Sequence, residues 1–385
     1  LKKIPETSGI KWLQNHLQSG YESLLELPWI LDADITVKPL YGHQEGAKLG
    51  YNPQKPGRPS HTYHTYMIAN LRLVLEVEVQ AGNKAHSNHS LPGLMALLNR
   101  LPANCKPEFV RGDIGYGTDK MMKELEAISQ HYLFKLKRSK YVQELIHKHH
   151  CLGEWTVVRK DWEAKESSIK LMGWEKERRV VIVRRRLPQE SMTAVEYNVA
   201  GQQEMSFVDD PEDIKLYEYS VLVTDLEDDL VSVFYHYRDR ADCENNFDEM
   251  KNQWGWGGYA TQDIKSCQFM SRMIALIYNW WNLFTRLAIP DKHHEAITSR
   301  PLLLSSIGRL TKTNRQRKMM ITSTHGDTKK LQSIYKRLVQ FFNNLKAIAP
   351  QLTLYECWCH ILAKAMEKFK DTARKTEPIK LPLPV

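Results

Sequence analysis

The order of predicted elements between residues 28 and 138 constrains the fold more than any other feature of this chain. Apolar alternation and turn residues predict three strands, a helix, a strand, a second helix and a further strand. Such a succession is typical of a mixed sheet that is covered by helices. The sequence therefore predicts an α/β fold with a central sheet.

Two of the predicted strands carry an aspartate at or near their end. In the strand 29–37, alternation places Asp32, Asp34 and Thr36 on one face and apolar residues on the other. Asp113 ends a second, short strand. Carboxylates on neighbouring strands can converge on hard divalent cations, which prefer oxygen ligands, and two such ions serve phosphodiester cleavage. The pattern predicts a metal site for phosphoryl transfer that needs one more carboxylate.

A long helix predicted over 230–253 supplies that carboxylate. Tyr237, Arg240, Glu244 and Lys251 project from it within an arc of about 60° on one face. An arginine, a lysine and a tyrosine beside Glu244 form a surface suited to holding a metal ion next to a phosphate backbone. The alternative is an ordinary amphipathic helix with a chance Arg–Glu pair at four-residue spacing.

The spacing Tyr-(2)-Arg-(3)-Glu-(6)-Lys resembles the signature of a large group of bacterial insertion-sequence transposases of the DDE type. Three further segments, 31–36, 41–47 and 50–59, are similar to the insertion-sequence-1380 branch of that group. The segment 111–116 resembles the second-aspartate motif of the family. The resemblance covers roughly residues 28–287 and is carried by motifs that are highly specific.

This resemblance implies a ribonuclease-H-like core with Asp34, Asp113 and Glu244 as the catalytic and metal-binding triad. The implied cofactor is Mg²⁺, as two ions, with Mn²⁺ able to replace it. Asp32 is an alternative first aspartate, because it shares a strand face with Asp34. We prefer Asp34, since family members usually read Asp-x-Thr at this position.

The resemblance also implies the partners. Tyr237, Arg240 and Lys251 become contacts to the transposon-end DNA. The implied process is cut-and-paste movement, in which a homodimer binds the terminal inverted repeats and target DNA in a synaptic complex.

Two weaker features add candidate DNA contacts. Trp254 and Trp256 alternate with glycines after the signature helix and are candidates for stacking on an unpaired or flipped base. Packing of both rings into the core is the alternative, and the one that we favour slightly. The stretch 309–337 holds nine Lys or Arg residues against the single acid Asp327, which predicts a DNA-backbone surface or an ordinary solvated face.

The predicted elements divide the chain into five parts. Because the sequence starts at Leu1, we expect that an N-terminal portion is missing. The parts are a lead-in over 1–27, the first part of the catalytic core over 28–138, a β-rich insertion over 139–214, the second part of the core with the signature helix over 215–288, and a helical basic C-terminal region over 289–385.

Charge and cysteine content limit the cellular context. The net charge of +9 favours an anionic partner, and nucleic acid is the commonest one for a soluble protein. There is no signal peptide and no apolar stretch long enough to span a bilayer, so we expect no membrane association. Six cysteines without a regular framework favour a reducing cytoplasm. The expected location is the bacterial cytoplasm, at the nucleoid.

Two alternative functions remain open at this stage. The segment 32–36 fits the nucleophile motif of haloacid-dehalogenase-type phosphatases, in which Asp32 would be the nucleophile and Asp34 the general acid. That alternative leaves the Tyr237–Lys251 pattern unexplained. The second alternative is a domesticated or decayed transposase that binds DNA without cutting it.

Overall fold

The computed structural model describes residues 6–26, 28–53, 55–187, 212–258, 261–291, 293–305, 307–313, 316–322 and 328–367. Its strands are β1 Ile30–Pro39, β2 Ser60–Ile68, β3 Leu73–Ala81, β4 Phe109–Gly112, β5 His131–Lys135, β6 Thr156–Arg159, β7 Trp162–Ile169, β8 Arg178–Arg186, β9 Tyr217–Thr224, β10 Ile307–Thr313 and β11 Gln316–Thr322. Its α-helices are α1 Glu6–Ser19, α2 Leu91–Arg100, α3 Asp119–Ala127, α4 Lys140–Leu152, α5 Leu230–Arg238, α6 Ala241–Gln253, α7 Ile264–Ala288, α8 Ala296–Leu304, α9 Thr328–Ile348 and α10 Leu354–Ala365.

One sheet of nine strands organises the described part of the chain, in the order β3-β2-β1-β4-β5-β9-β8-β7-β6. The first three strands form an antiparallel meander, whereas β4 pairs parallel to β1 and β5 pairs parallel to β4. The prediction of a mixed α/β fold with a central sheet is confirmed. Because β1 and β4 are parallel, residues that follow them leave the sheet at the same edge.

The helix α7 covers the outer strand of this meander with polar side chains. Asn279 donates to the carbonyl oxygen of Val74 at 2.7 Å and accepts from the backbone N–H of the same residue at 2.8 Å. Gln268 makes a similar pair of bonds to the backbone of Val79 and Val77, both at 2.6 Å. These side chains satisfy the free edge of β3, which would otherwise be exposed to pairing with another chain. No helix among the described residues, α7 included, is long and apolar enough to cross a membrane.

The strands of the predicted β-rich insertion over 139–214 extend the central sheet, because β8 pairs with both β7 and β9. Residues 188–211 of that insertion lie outside the described residues. The C-terminal region is not helical throughout, since β10 and β11 form an antiparallel hairpin within it. Alternation over seven-residue strands is a weak signal beside long basic runs, so the hairpin was missed.

Candidate active site

Parallel pairing of β1 and β4 brings the two predicted aspartates together. Ala33 lies opposite Gly112 in the register, so Asp34 and Asp113 follow at the same level on adjacent strands. The Asp113 carboxylate accepts a bond from the N–H of Gly115 at 2.9 Å and so begins the turn that ends the strand. The two carboxylates are close enough that Asp113 raises the pKa of Asp34.

The turn after β4 requires a glycine. A Cβ at Gly112 would lie 2.7 Å from the ring of Tyr116, which is fully buried below the two aspartates. Burial raises the pKa of Tyr116, and the nearby Asp34 and Asp113 carboxylates add to the shift. The Gly112–Tyr116 contact therefore holds Asp113 in place beside Asp34.

Asp34 lies in an environment that resists its ionisation. Its side chain is 18% exposed, and burial raises its pKa from 3.8 to about 6 although Arg240 acts in the opposite direction. Asp113 and Glu244 both raise this pKa, and Lys251 lowers it. The shift comes mainly from burial, so a cation bound beside Asp34 would favour its ionised form.

Arg240 joins the first and third predicted carboxylates. Its Nη2 donates to Asp34 Oδ1 at 2.9 Å and its Nη1 donates to Glu244 Oε1 at 2.6 Å. The guanidinium is 7% exposed, whereas the Glu244 side chain is 65% exposed. Glu244 is therefore linked to Asp34 by the Arg240 guanidinium, which donates to both carboxylates.

The predicted continuous helix over 230–253 is two helices. The N–H of Arg240 donates to the carbonyl oxygen of Tyr237 at 3.1 Å, a three-residue spacing that tightens the chain between α5 and α6. The prediction that residues 230–253 form one helix with a single continuous face was therefore wrong, because the helix is interrupted between Arg238 and Ala241. The Arg240–Glu244 pair survives because both residues lie at the start of α6, at the four-residue spacing of neighbours on a helix.

The other signature residues lie around the same carboxylates. Tyr237 is half-buried and lines a cavity of about 230 Å³ together with Arg240 and Glu244. Burial raises the pKa of Tyr237, and the nearby Asp113 and Glu244 add to this effect. Lys251 is close enough to Asp34 to influence its pKa. Tyr237, Arg240, Glu244 and Lys251 thus all lie within electrostatic range of the aspartate pair.

The donor set fits a divalent cation by chemistry, although the carboxylates do not form a closed cluster. Among the described residues, no group of three His, Cys, Asp or Glu side chains is placed to hold a metal ion. The reason is visible at Arg240, whose guanidinium lies between Asp34 and Glu244 and supplies the positive charge there. All three predicted ligands are carboxylates, the oxygen donors that hard divalent cations prefer.

Asp32 has a different partner from Asp34. The buried Arg111 on β4 donates from Nε and Nη2 to the two Asp32 oxygens at 2.5 and 2.7 Å, and both side chains are 1% exposed. Arg111 also donates to the backbone carbonyl of His236 near the end of α5. A buried carboxylate held on both oxygens is unavailable as a nucleophile, so the phosphatase alternative is not supported.

The two tryptophans after α6 are packing residues in this structure. Trp256 is 1% exposed, donates to the carbonyl oxygen of Ser271 at 3.4 Å and meets the Tyr63 ring edge-on at 5.3 Å. Trp254 lies 3.8 Å from the Arg300 guanidinium and donates to a buried glutamate. The candidate role of Trp256 in base stacking was therefore wrong, and the ring face of Trp254 that meets Arg300 is already covered.

The basic C-terminal stretch is exposed. Its described cations lie on the β10–β11 hairpin and on the first turns of α9, all of them at the surface: Arg309, Lys312, Arg317, Lys318, Lys329, Lys330, Lys336 and Arg337. Arg315 and Asp327 lie outside the described residues. The exposure of these cations agrees with a surface that binds the DNA backbone and equally with an ordinary solvated face.

A buried hydrogen-bond network below Tyr116 was missed by the sequence analysis. Ser90 precedes α2, yet its side chain makes no cap bond to that helix. Its Oγ instead bonds to His64 Nδ1 at 2.5 Å and accepts from the Tyr116 hydroxyl at 3.3 Å. The Nε2 of His64 bonds to Thr62 at 3.1 Å. Only the tertiary contact between β2 and α2 reveals this network.

We expect His64 to make the protein sensitive to acid. Burial lowers the pKa of His64 from 6.5 to about 4, so below pH 6.5 the unfolded chain binds a proton that the folded protein does not. The contribution of His64 to stability should fall between about pH 6.5 and 4, by about 3 kcal/mol in total. His64→Gln keeps hydrogen-bonding capacity but cannot titrate, so urea unfolding at pH 7 and 4.5 should show a smaller loss than in the wild type. The exposed His43→Gln is the control, and equal acid losses in all three proteins would contradict the prediction.

Comparison with known proteins places these residues in a family context. The family model described as Transposase DDE domain group 1 matches residues 11–343. No curated protein sequence matches the chain. Among solved structures, one similar chain is in a cryo-EM structure of a piggyBac transposase synaptic complex with hairpin DNA, at 10% sequence identity and a TM-score of 0.37. That similarity covers 93% of this chain and 60% of the other, so this chain spans about 60% of the length of that relative.

Proposed function

We propose that this chain, which belongs to the family Transposase DDE domain group 1, is a DNA transposase that cuts at the ends of an insertion sequence and joins them to target DNA. The observation that carries the proposal is the meeting of Asp34 and Asp113 on adjacent parallel strands, with Glu244 linked to Asp34 by Arg240. Carboxylates on adjacent strands and a helical glutamate from a distant part of the chain are the arrangement expected for phosphodiester cleavage.

The finer classification follows from the same residues. The proposed ribonuclease-H-like core is the part of the sheet ordered β3-β2-β1-β4-β5, to which both aspartates belong. Tyr237, Arg240, Glu244 and Lys251 support the proposed insertion-sequence signature, because their side chains gather at the aspartate pair. We assign the chain to the insertion-sequence-1380 branch on the resemblance of its segments 31–36, 41–47 and 50–59.

The proposed metal ligands are Asp34, Asp113 and Glu244, with two Mg²⁺ ions as the cofactor and Mn²⁺ as a substitute. When bound, such ions activate the attacking oxygen and stabilise the leaving one. The chain positions the ligands: Gly112 admits Tyr116 below the aspartates, and Arg240 holds both Asp34 and Glu244. Burial raises the pKa of Asp34 and so disfavours its ionised form, which a cation bound at this point would stabilise.

The proposed reaction has two steps and no covalent protein–DNA intermediate. Water attacks the phosphodiester at the element's end, and the bond to the 3′ oxygen breaks to leave a free 3′-OH. That hydroxyl then attacks a target phosphodiester, so one bond forms as another breaks. Tyr237, Arg240 and Lys251 hold the end DNA beside the carboxylates, since cationic and phenolic donors bind phosphate oxygens.

The proposed partners are the terminal inverted repeats, the target DNA and a second copy of the chain in a synaptic homodimer. The exposed cations of the β10–β11 hairpin and α9 support a backbone-binding role for the C-terminal region. The net charge of +9 has the sign that DNA binding requires. The proposed location is the bacterial cytoplasm, at the nucleoid.

We expect cleavage to depend on a divalent metal. Purified protein and end-labelled DNA that carries the candidate inverted repeats flanking the gene are mixed with Mg²⁺, with Mn²⁺ or with a chelator. A nick at the repeat boundary with either metal, and none with chelator, is the expected result, because without cations nothing activates the attacking water.

The other outcomes of this assay separate the competing functions. Binding of the repeats without a nick under any metal would favour a decayed transposase. If the protein neither binds nor nicks the repeats, the transposase proposal is overturned.

A further inference from the structure

The loop between β1 and β2, residues 40–59, carries an exposed cluster of one aromatic ring and two cations. Tyr41 is 68% exposed, and its hydroxyl accepts a bond from the Lys55 ammonium. The Lys55 ammonium lies 4.8 Å and the Arg58 guanidinium 4.4 Å from the centre of the Tyr41 ring. The ring therefore holds two positive charges close to each other at the surface.

Buried contacts hold the backbone of the loop beside this cluster. Asn52 is 5% exposed, accepts from the N–H of Lys55 at 3.1 Å and donates to the carbonyl oxygen of Arg58 at 3.4 Å. A Cβ at Gly50 would lie 2.0 Å from the carbonyl oxygen of Gly82, so the loop backbone packs directly on the turn after β3. The backbones of both cationic residues are thus hydrogen-bonded to one buried asparagine.

The acid of this loop does not neutralise the cluster. The segment 40–59 holds three Lys or Arg residues and one acid, Glu45. The Glu45 carboxylate accepts from the N–H of Ile264 at 3.0 Å and so serves the first turn of α7. The positive charge of Lys55 and Arg58 is therefore left for an anionic partner.

The loop also follows directly on the strand that carries Asp34. The strand β1 runs directly from Asp34 to the loop, which starts six residues later, about 20 Å away at the rise of an extended strand. Along one strand of a duplex, about 20 Å corresponds to roughly six phosphates. DNA that extends from the aspartate pair in the direction of β1 reaches Tyr41 within that distance.

We propose that Tyr41, Lys55 and Arg58 form a binding site for the phosphate backbone of duplex DNA, roughly six nucleotides from the cleaved bond. This inference rests on the proposed function and adds a contact region outside the signature helix. A guanidinium that stacks on a ring keeps its in-plane N–H donors for phosphate oxygens, and Lys55 supplies a second point charge. Because Lys55 and Arg58 already contact Tyr41, less side-chain conformational entropy is lost when DNA binds.

The test compares two charge-matched double variants of the full chain. Lys55→Ala/Arg58→Ala removes the cluster, and Lys148→Ala/Lys160→Ala removes two exposed cations near the β6 side of the sheet. The probe is a labelled duplex of about 40 base pairs, since backbone contacts do not depend on sequence. We expect the cluster variant to bind about tenfold more weakly, and the slope of log K against log salt to fall by roughly 2. The control should keep wild-type values.

A third variant checks the role of the ring. Tyr41→Leu keeps both cations but removes their support, so it should weaken binding less than the double variant and leave the salt slope nearly unchanged. Wild-type binding by the cluster variant, or an equal loss in the control, would overturn the proposed contact. If such a variant binds normally while the wild type still nicks repeat DNA, the loop proposal fails and the transposase proposal stands. If the wild type neither binds the duplex nor nicks DNA, both fail.

Discussion

Asp34→Asn and Glu244→Gln should each lower the rate of metal-dependent cleavage by at least about a thousandfold and leave DNA affinity nearly unchanged. Each amide keeps the shape of the carboxylate but lacks the negative charge that holds a divalent cation. DNA binding should survive because the proposed contacts come from other residues, Tyr237, Arg240 and Lys251 among them. Single-turnover cleavage of labelled repeat DNA and a separate binding titration measure the two effects.

Stability provides the control for the aspartate variant. The pKa of Asp34 in the folded protein, about 6, lies above its ordinary value of 3.8, so the folded state binds more protons between these values. Stability due to this group therefore falls as pH rises from about 4 to 6 and stays low above that window. Asp34→Asn should be as stable as the wild type or more so at pH 7.5 with chelator, by up to about 3 kcal/mol. Cleavage at the wild-type rate would remove Asp34 from the site.

The pH dependence of Asp34 is opposite in sign to that of His64. Between about pH 4 and 6, Asp34 lowers stability as pH rises, whereas His64 raises it over about pH 4 to 6.5. In the wild type these two contributions therefore partly offset each other, and each one is measured as the difference between a variant and the wild type, which makes the two assignments independent.

Asp32→Asn should destabilise the fold by about 3–5 kcal/mol, the second large effect that we expect. The change leaves the Arg111 guanidinium buried at 1% exposure and without its anionic partner. Since Arg111 also bonds to the carbonyl of His236, the loss reaches the end of the helix that precedes Arg240. The free energy of unfolding from urea titration measures the effect.

A double variant tests the physical reason for this loss. Asp32→Leu/Arg111→Met replaces the buried ion pair by apolar groups and should be more stable than Asp32→Asn, because no unpaired charge remains. Below its melting transition, Asp32→Asn should retain cleavage, in contrast to Asp34→Asn. A well-folded Asp32→Asn protein without cleavage would instead identify Asp32 as the first catalytic carboxylate.

Local patterns were sufficient for β1 and for part of the candidate site. Alternation predicts a strand over 29–37, and the structure forms β1 over Ile30–Pro39. The Arg240–Glu244 contact is also local, since residues four apart on a helix are neighbours. The order of elements determined the mixed sheet, because few topologies accommodate that order.

Contacts between distant segments decided the rest. Asp32 and Asp34 share a face of β1, and only the pairing of β4 shows that Arg111 occupies the first and leaves the second beside Asp113. In the sequence, Arg111 was marked only by its position two residues before Asp113, in the segment 111–116. Nothing in that position indicated that it would pair with Asp32. Trp256 could have faced solvent or core, and its packing on Tyr63 settles the choice.

The sequence by itself determined the order of elements in the central sheet and the spacing of Tyr237, Arg240, Glu244 and Lys251, because these depend on local geometry and alternation. The expectation that Asp34 lies near the end of its strand was wrong, since β1 continues to Pro39. The tertiary structure alone decided which aspartate lies beside Asp113, that Arg240 joins Asp34 to Glu244, and that the β1–β2 loop presents Lys55 and Arg58 on Tyr41. The physical reason is that burial and charge pairing depend on which segments lie side by side. Strand register, rather than residue spacing, brings those segments together.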